Sequence, residues 1–142
     1  ITVIKGQAKH KDHIELVKVT EECLNKGIEA IKIGHRVGCI GNAIYRYSRN
    51  FKYGLITNYG GHCICENKPH AEPFIHNKST SEQGIHIQNG LTIAIEPMLV
   101  IGDPITRVLS DKWTVVTPGI GAHFEKTIMV YEDKIHIMTV DE

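Results

Sequence analysis

At 142 residues, the chain has the size of one domain. A chain of that length buries about 68–70% of its unfolded surface, enough for a real core. Lys plus Arg and Asp plus Glu balance at 16 each, so overall charge offers no nucleic-acid footprint and no polybasic membrane anchor. No apolar run approaches the roughly 20 residues of a membrane span and no signal-peptide pattern is recognised, so neither nucleic acid nor membrane is expected as a partner. Cys23, Cys39, Cys63 and Cys65 could pair as two disulfides. Without an export signal they read as reduced thiols, consistent with the cytoplasm.

In chain order, Ile1–Lys5 is rich in β-branched residues and reads as a strand. Gly6–Lys11 is a polar connector. Asp12 followed by Glu15 resembles a capping box, which makes Asp12 the N-cap of a helix. Leu16, Val17, Thr20, Cys23, Leu24, Gly27, Ile28 and Ile31 then form its apolar stripe, and Gly34 ends it. A second helix is expected from about Val37 to Asn50, with Val37, Ile40, Ile44, Tyr47 and Phe51 on one face.

After Gly54 the period changes. Leu55–Tyr59 and Cys63–Cys65 read as short strands, and Pro69–Gln83 reads as loop. Leu91–Glu96 alternates, with Leu91, Ile93 and Ile95 on one face and Thr92, Ala94 and Glu96 on the other. Thr106–Leu109 and Lys112–Thr117 are strands about a Ser110-Asp111 turn. Ala122–Tyr131 alternates as one strand, with Ala122, Phe124, Ile128 and Val130 on one face and His123, Glu125 and Thr127 on the other. Glu132-Asp133-Lys134 turns the chain into a last strand, Ile135–Val140. Two helices followed by many strands give an α+β fold, with the helices packed on one face of a mainly antiparallel sheet.

The chemistry concentrates in Tyr59–Pro73, which carries His62 and His70, and in two acids set inside apolar runs, Glu96 and Glu125. A carboxylate buried in such a run is costly unless it is paired. Two carboxylates about 4 Å apart repel by roughly 4 kcal/mol at an effective dielectric of 20, so they call for a cation between them or a shared proton. One His and two Glu form a reasonable divalent-metal set, although an acid at a strand end can also reach solvent or a lysine. By spacing alone His62 reads as a core or surface histidine, His70 as a loop histidine and His123 as a neighbour of Glu125 on the same face. Cys63-x-Cys65 does not match the spacing of a structural zinc motif.

The order Gly-His62, His70-x-Glu-Pro73, Ile-Glu96-Pro-Met98 and Phe-Glu125-x-Thr127 resembles the C-terminal half of a type I methionine aminopeptidase. The resemblance runs from about Thr20 to Thr139, and four motifs in one order make it specific. It implies part of a pita-bread fold, in which two similar α+β halves enclose the site. It also implies two divalent ions, Co, Mn, Fe or Zn, that activate water for attack on the carbonyl after an N-terminal methionine. On this pattern His62, Glu96 and Glu125 are metal ligands. Glu96 also moves a proton, and His70 hydrogen-bonds the substrate near the scissile amide. His123 contacts substrate or metal, where many relatives carry Gln. The implied partner is a peptide or nascent-protein N-terminus.

The resemblance also marks departures. Two family aspartates N-terminal to His62 have no counterpart, and neither does a substrate-contacting histidine. Cys63 and Cys65 stand where glycines are common, so they are expected to crowd the site, and Lys126 replaces a histidine. The expectation is therefore residues 1–142 as one domain, the C-terminal part of an aminopeptidase catalytic domain, either a fragment or the product of a gene that lost its front half. Three ligands make a poor dinuclear site, which weighs against full activity. The alternatives are a non-catalytic peptide-binding protein on the same scaffold and a proline-specific sibling peptidase.

Overall fold

The computed structural model describes residues 1–139. Two helices, α1 (Lys11–Glu29) and α2 (Gly38–Ser48), precede ten strands: β1 (Tyr53–Leu55), β2 (Gly61–Cys65), β3 (Lys68–Ile75), β4 (Thr92–Ile95), β5 (Met98–Ile101), β6 (Arg107–Val108), β7 (Val115–Val116), β8 (Gly121–His123), β9 (Lys126–Tyr131) and β10 (Lys134–Ile137). A five-stranded sheet runs β10-β9-β4-β2-β3, a three-stranded sheet runs β1-β5-β8, and β6-β7 form a separate hairpin. Every strand pair is antiparallel, as expected for an α+β chain built from hairpins and meanders.

The helices pack through the faces their periodicity requires. Leu16, Val19, Thr20, Cys23, Leu24 and Gly27 of α1 are buried, as are Ile40 and Ile44 of α2. Gly27 sets how closely the helices approach, since a Cβ there would lie 3.1 Å from Ile44 Cδ1. Ile93, Ile95, Leu99, Ile128 and Val130 from the sheets complete the same core. Gly38 and Gly41 let α2 lie on the Thr80 and His76 backbone carbonyls, where any side chain would collide.

Several expectations change. Asp12 is not an N-cap: the helix starts two residues earlier, at Lys11, His10 holds the N-cap position without a side-chain bond, and Asp12 pairs with Lys52 at 2.8 Å. Glu15 likewise accepts from the Tyr53 hydroxyl at 2.6 Å, so both residues of the supposed capping box serve tertiary contacts. The first helix ends at Glu29, five residues before Gly34, and Gly34 instead takes a left-handed turn at φ 85°.

Ile1–Lys5 forms no strand. The Thr2 hydroxyl accepts from the His123 N–H at 2.9 Å and donates to the His123 carbonyl at 3.1 Å, so a side chain does the pairing that a ladder was expected to do. The expected loop at Pro69–Gln83 contains most of β3. This strand tolerates Pro69 and Pro73 because it is the outer strand of its sheet, where a missing N–H is harmless. Leu55–Tyr59 contributes only its first residue to a strand, while Met98–Ile101 is an additional one. Ala122–Tyr131 is two strands in two sheets rather than one. The last strand ends at Ile137, and Val140 lies outside the described residues.

Candidate active site

The two acids sit at equivalent joints. The chain passes from the five-stranded to the three-stranded sheet between Ile95 and Met98, through Glu96-Pro97, and returns between His123 and Lys126, through Phe124-Glu125. Register keeps the joints side by side, with Ile95 opposite Lys126 in one sheet and Met98 opposite His123 in the other. The Phe124 N–H spans the gap to the Pro97 carbonyl at 3.4 Å. Alternation carries through both joints, so Glu96 keeps the face of Ala94 and Glu125 that of Thr127, which the register sets opposite each other, and the two carboxylates converge.

His62 arrives from the neighbouring strand. It lies opposite Ala94 in the β2–β4 ladder, two residues before Glu96. Gly61 permits this approach, since a Cβ there would strike the Ala94 carbonyl. The glycine before His62 therefore brings strand to strand. His62 Nδ1 lies 3.0 Å from the Cys63 carbonyl. A carbonyl only accepts, so Nδ1 carries the proton and Nε2 is left to face the site. That Nε2 lies 3.3 Å from Glu96 Oε1.

His62, Glu96 and Glu125 each present one ligand atom, and these atoms lie within 4.8 Å of one another. Among the described residues this set alone meets that geometry. An imidazole with its outward tautomer fixed, plus two converging carboxylates, fits a divalent cation in donor type and charge. The two remaining histidines flank the set. His70, exposed on β3, stacks edge-on against His62 with ring centroids 4.6 Å apart. His123 Nε2 lies 3.3 Å from Glu96 Oε2, yet the atom is buried and outside hydrogen-bonding alignment. Glu96 thus stands between two imidazoles, one on each carboxylate oxygen.

Two cysteine expectations resolve differently. Cys63 turns into the core, on the opposite face of β2 from His62, so it does not crowd the site. Its burial pushes the thiol above its ordinary range, with the nearby Cys65 and Glu72 adding to the effect. Cys65 is exposed, and both are free thiols. Neither belongs to the ligand set, and neither does Asp12.

Asn77 was invisible as a site residue in the sequence, being one polar residue in a segment read as loop. It is 1% exposed. Its amide nitrogen donates to the carbonyls of Glu96 at 2.9 Å, Tyr59 at 3.2 Å and Ile56 at 3.4 Å. It thereby ties the Glu96 joint to the segment leading into β2. Beside Glu96 and His123 opens a cavity of about 620 Å³, whose apolar wall includes Ile56, Met98, Leu99, Trp113 and Val115.

Comparison with known proteins gives this geometry a family. Residues 1–132 match the model of metallopeptidase family M24. The chain is 39% identical to a methionine aminopeptidase of Mycoplasma capricolum, over 99% of this chain and 57% of that protein. It is 36% identical to methionine aminopeptidase 1 of Bacillus subtilis, over 90% of this chain and 52% of that protein. The crystal structure of a Thermotoga maritima methionine aminopeptidase superposes with a TM-score of 0.85 at 36% identity, covering 93% of this chain and 53% of that one. A Pyrococcus furiosus prolidase, at 18% identity and a TM-score of 0.69, shares the fold. The two helices and antiparallel sheets are thus those of the pita-bread peptidases. The chain spans about half the length of the curated relatives it matches. With most of its residues inside the family model and both glutamates set at paired joints between sheets, the chain belongs to metallopeptidase family M24.

Proposed function

We propose that this chain carries the metal-binding half-site of a methionine aminopeptidase, with residues 1–142 as the C-terminal part of the catalytic domain. The observation that carries the reading is the convergence of His62, Glu96 and Glu125 within 4.8 Å. Together with the family, it supports a divalent ion held by these three side chains, with Co, Mn, Fe and Zn as the candidates. Such an ion supplies Lewis acidity towards a peptide carbonyl and towards water.

The protein's own groups are assigned the remaining work. Glu96, with a carboxylate oxygen facing each of two imidazoles, takes and returns the proton of the attacking water. His70, exposed next to His62, donates to the substrate amide oxygen as charge builds on it. His123 lines the cavity beside Glu96, and binds the substrate there. The apolar cavity is within the usual range for a ligand pocket and suits an unbranched thioether side chain, which supports a peptide or nascent-protein N-terminus beginning with Met. The setting proposed is the cytoplasm, in keeping with four free thiols; no helix of the described residues is long and apolar enough to cross a membrane.

A second reading has a specific observation behind it. Among the described residues the ligand set has three members, which suits one ion better than two. The same cavity could then bind peptide N-termini without cleaving them. Elemental analysis and Met-Ala-Ser cleavage with added manganese or cobalt, run beside Glu96→Ala, decide between the two. The aminopeptidase reading expects about one equivalent of metal and a turnover that Glu96→Ala abolishes. Metal and peptide binding without turnover would favour the second reading, and a chain that retains no divalent ion would overturn the metal site itself.

A further inference from the structure

The chain shows more surface than its mass calls for. At 15.9 kDa, a folded monomer is expected to expose about 7,400 Å². This chain exposes 8975 Å², an excess of roughly 1,600 Å². Ile1–Lys5, which joins no sheet, accounts for part of it. The excess is of the size that association removes, about 800 Å² from each partner in a standard interface and more in an obligate homodimer.

Exposed apolar side chains mark where it lies. The β6-β7 hairpin pairs with neither of the larger sheets, and a two-stranded hairpin on its own is marginal in water. Its register sets Val108 opposite Val115, so both share one face, and Trp113, two residues before Val115, falls on that face as well. Trp113 is 80% exposed, and Val108 and Val115 are exposed beside it. Ile105 and Ile120, exposed too, flank the hairpin in the chain. Trp113 and Val115 also form part of the wall of the cavity beside Glu96 and His123, as does Thr2, which stands between the exposed Ile1 and Val3.

We propose that a second copy of this chain seats on this face about a twofold axis, with each copy's Trp113 packed on the other's hairpin and walling off the open side of its cavity. A protruding aromatic beside an apolar hollow is a knob and a hole on one face, which an isologous contact can satisfy twice. A tryptophan in that position is the commonest kind of anchor at an interface. The exposed charges of the same segment, Asp103, Arg107, Asp111 and Lys112, are two of each sign, so self-pairing meets no net repulsion. A lipid surface would cover the hairpin and leave the hollow unfilled.

The test is sedimentation velocity of the full chain from about 1 to 100 µM, the range in which an interface of this size is expected to hold. The upper end should give twice the mass of one chain, and a monomer throughout would overturn the proposal. Trp113 is the single tryptophan, so its emission should move to shorter wavelength as the dimer forms. A doubled mass with unmoved emission would place the contact elsewhere and overturn the assignment of this face. Val108→Asp combined with Trp113→Asp should raise the dimer Kd at least about thirtyfold. Ile33→Asp, at an exposed apolar residue in the α1–α2 connection, should leave it unchanged, and thermal melts confirm that each variant is folded. Equal weakening by Ile33→Asp would show nonspecific association and overturn the proposal. Mass and emission are read without metal or substrate, so the outcome is independent of the peptidase reading.

Discussion

Asn77 shows how one amide can hold the joint between two sheets. Its nitrogen serves three carbonyls, including that of Glu96, and the residue is almost wholly enclosed. Removing it leaves buried acceptors unpaired, at about 1–3 kcal/mol each, and frees the backbone on which Glu96 depends. Asn77→Ala is expected to lower stability by about 2–4 kcal/mol in urea denaturation. Because supporting residues typically change metal affinity 10–100-fold, manganese affinity by isothermal titration should fall at least about tenfold at a temperature where the variant is folded. Asn77→Asp, which exchanges the NH2 donor for an acceptor facing three carbonyls, should be at least as damaging. Unchanged metal affinity in a folded Asn77→Ala would show that the bond to Glu96 does not position its carboxylate. His62→Ala makes the complementary prediction: a melting curve that moves little, with metal binding lost.

The same scale shows what a sequence can and cannot reveal. His62, Glu96 and Glu125 were legible because motif order and the cost of an unpaired buried acid both pointed to them, and the structure brings them together. Asn77 carried no such mark. Only tertiary packing distinguishes an asparagine that caps three carbonyls from one in an ordinary loop. Asp12 failed in the opposite way. Its local pattern matched a cap, but Lys52, forty residues on, outcompetes the helix N-terminus for its carboxylate.

Among the elements, local periodicity found both helices and most strands, because their apolar faces are buried at the predicted spacing. It missed the boundaries that tertiary contacts decide. The Ala122–Tyr131 alternation predicted the right buried residues, Ala122, Phe124, Ile128 and Val130, while missing that the strand changes sheets at Glu125. Alternation survives such a joint, so a pattern of faces cannot reveal it. The prolines of β3 read as loop signals because their edge position depends on sheet order, which is not a local property. Strand approach supplies a test here. A Cβ on Gly61 would meet the Ala94 carbonyl, a backbone atom with little freedom to yield. Gly61→Ala should therefore separate β2 from β4 and cost about 1–3 kcal/mol, as overpacking does, and should weaken metal binding by moving His62 away from Glu96. A variant as stable as the parent, with full metal affinity, would mean that β2 does not need the close approach.

Across the whole molecule, the groups held neutral in the core set a limit on alkaline stability. Burial pushes the Cys23 thiol up to about 12 from an ordinary value of 9.0, with the Glu22 charge adding to it. Cys39 and Cys63 are raised, chiefly by burial. Tyr53 is raised by burial and by its hydrogen bond to Glu15. The direction of the effect follows from which state releases protons first. Above the ordinary thiol pKa the unfolded chain has ionised while the folded chain has not, so rising pH favours unfolding. Stability is complete below about pH 8.5 and declines towards pH 12. For Cys23 alone the shift of roughly three units corresponds to about 4 kcal/mol over that window, at about 1.4 kcal/mol per unit. Urea midpoints measured under reducing conditions should hold level up to about pH 8.5 and then fall steeply. Cys23→Ala should start lower at neutral pH, because it leaves a small cavity between the helices, and should then decline less steeply by up to about 1.4 kcal/mol per pH unit. An equally steep decline in that variant would show that the alkaline transition belongs to other groups and that Cys23 ionises as readily in the fold as outside it.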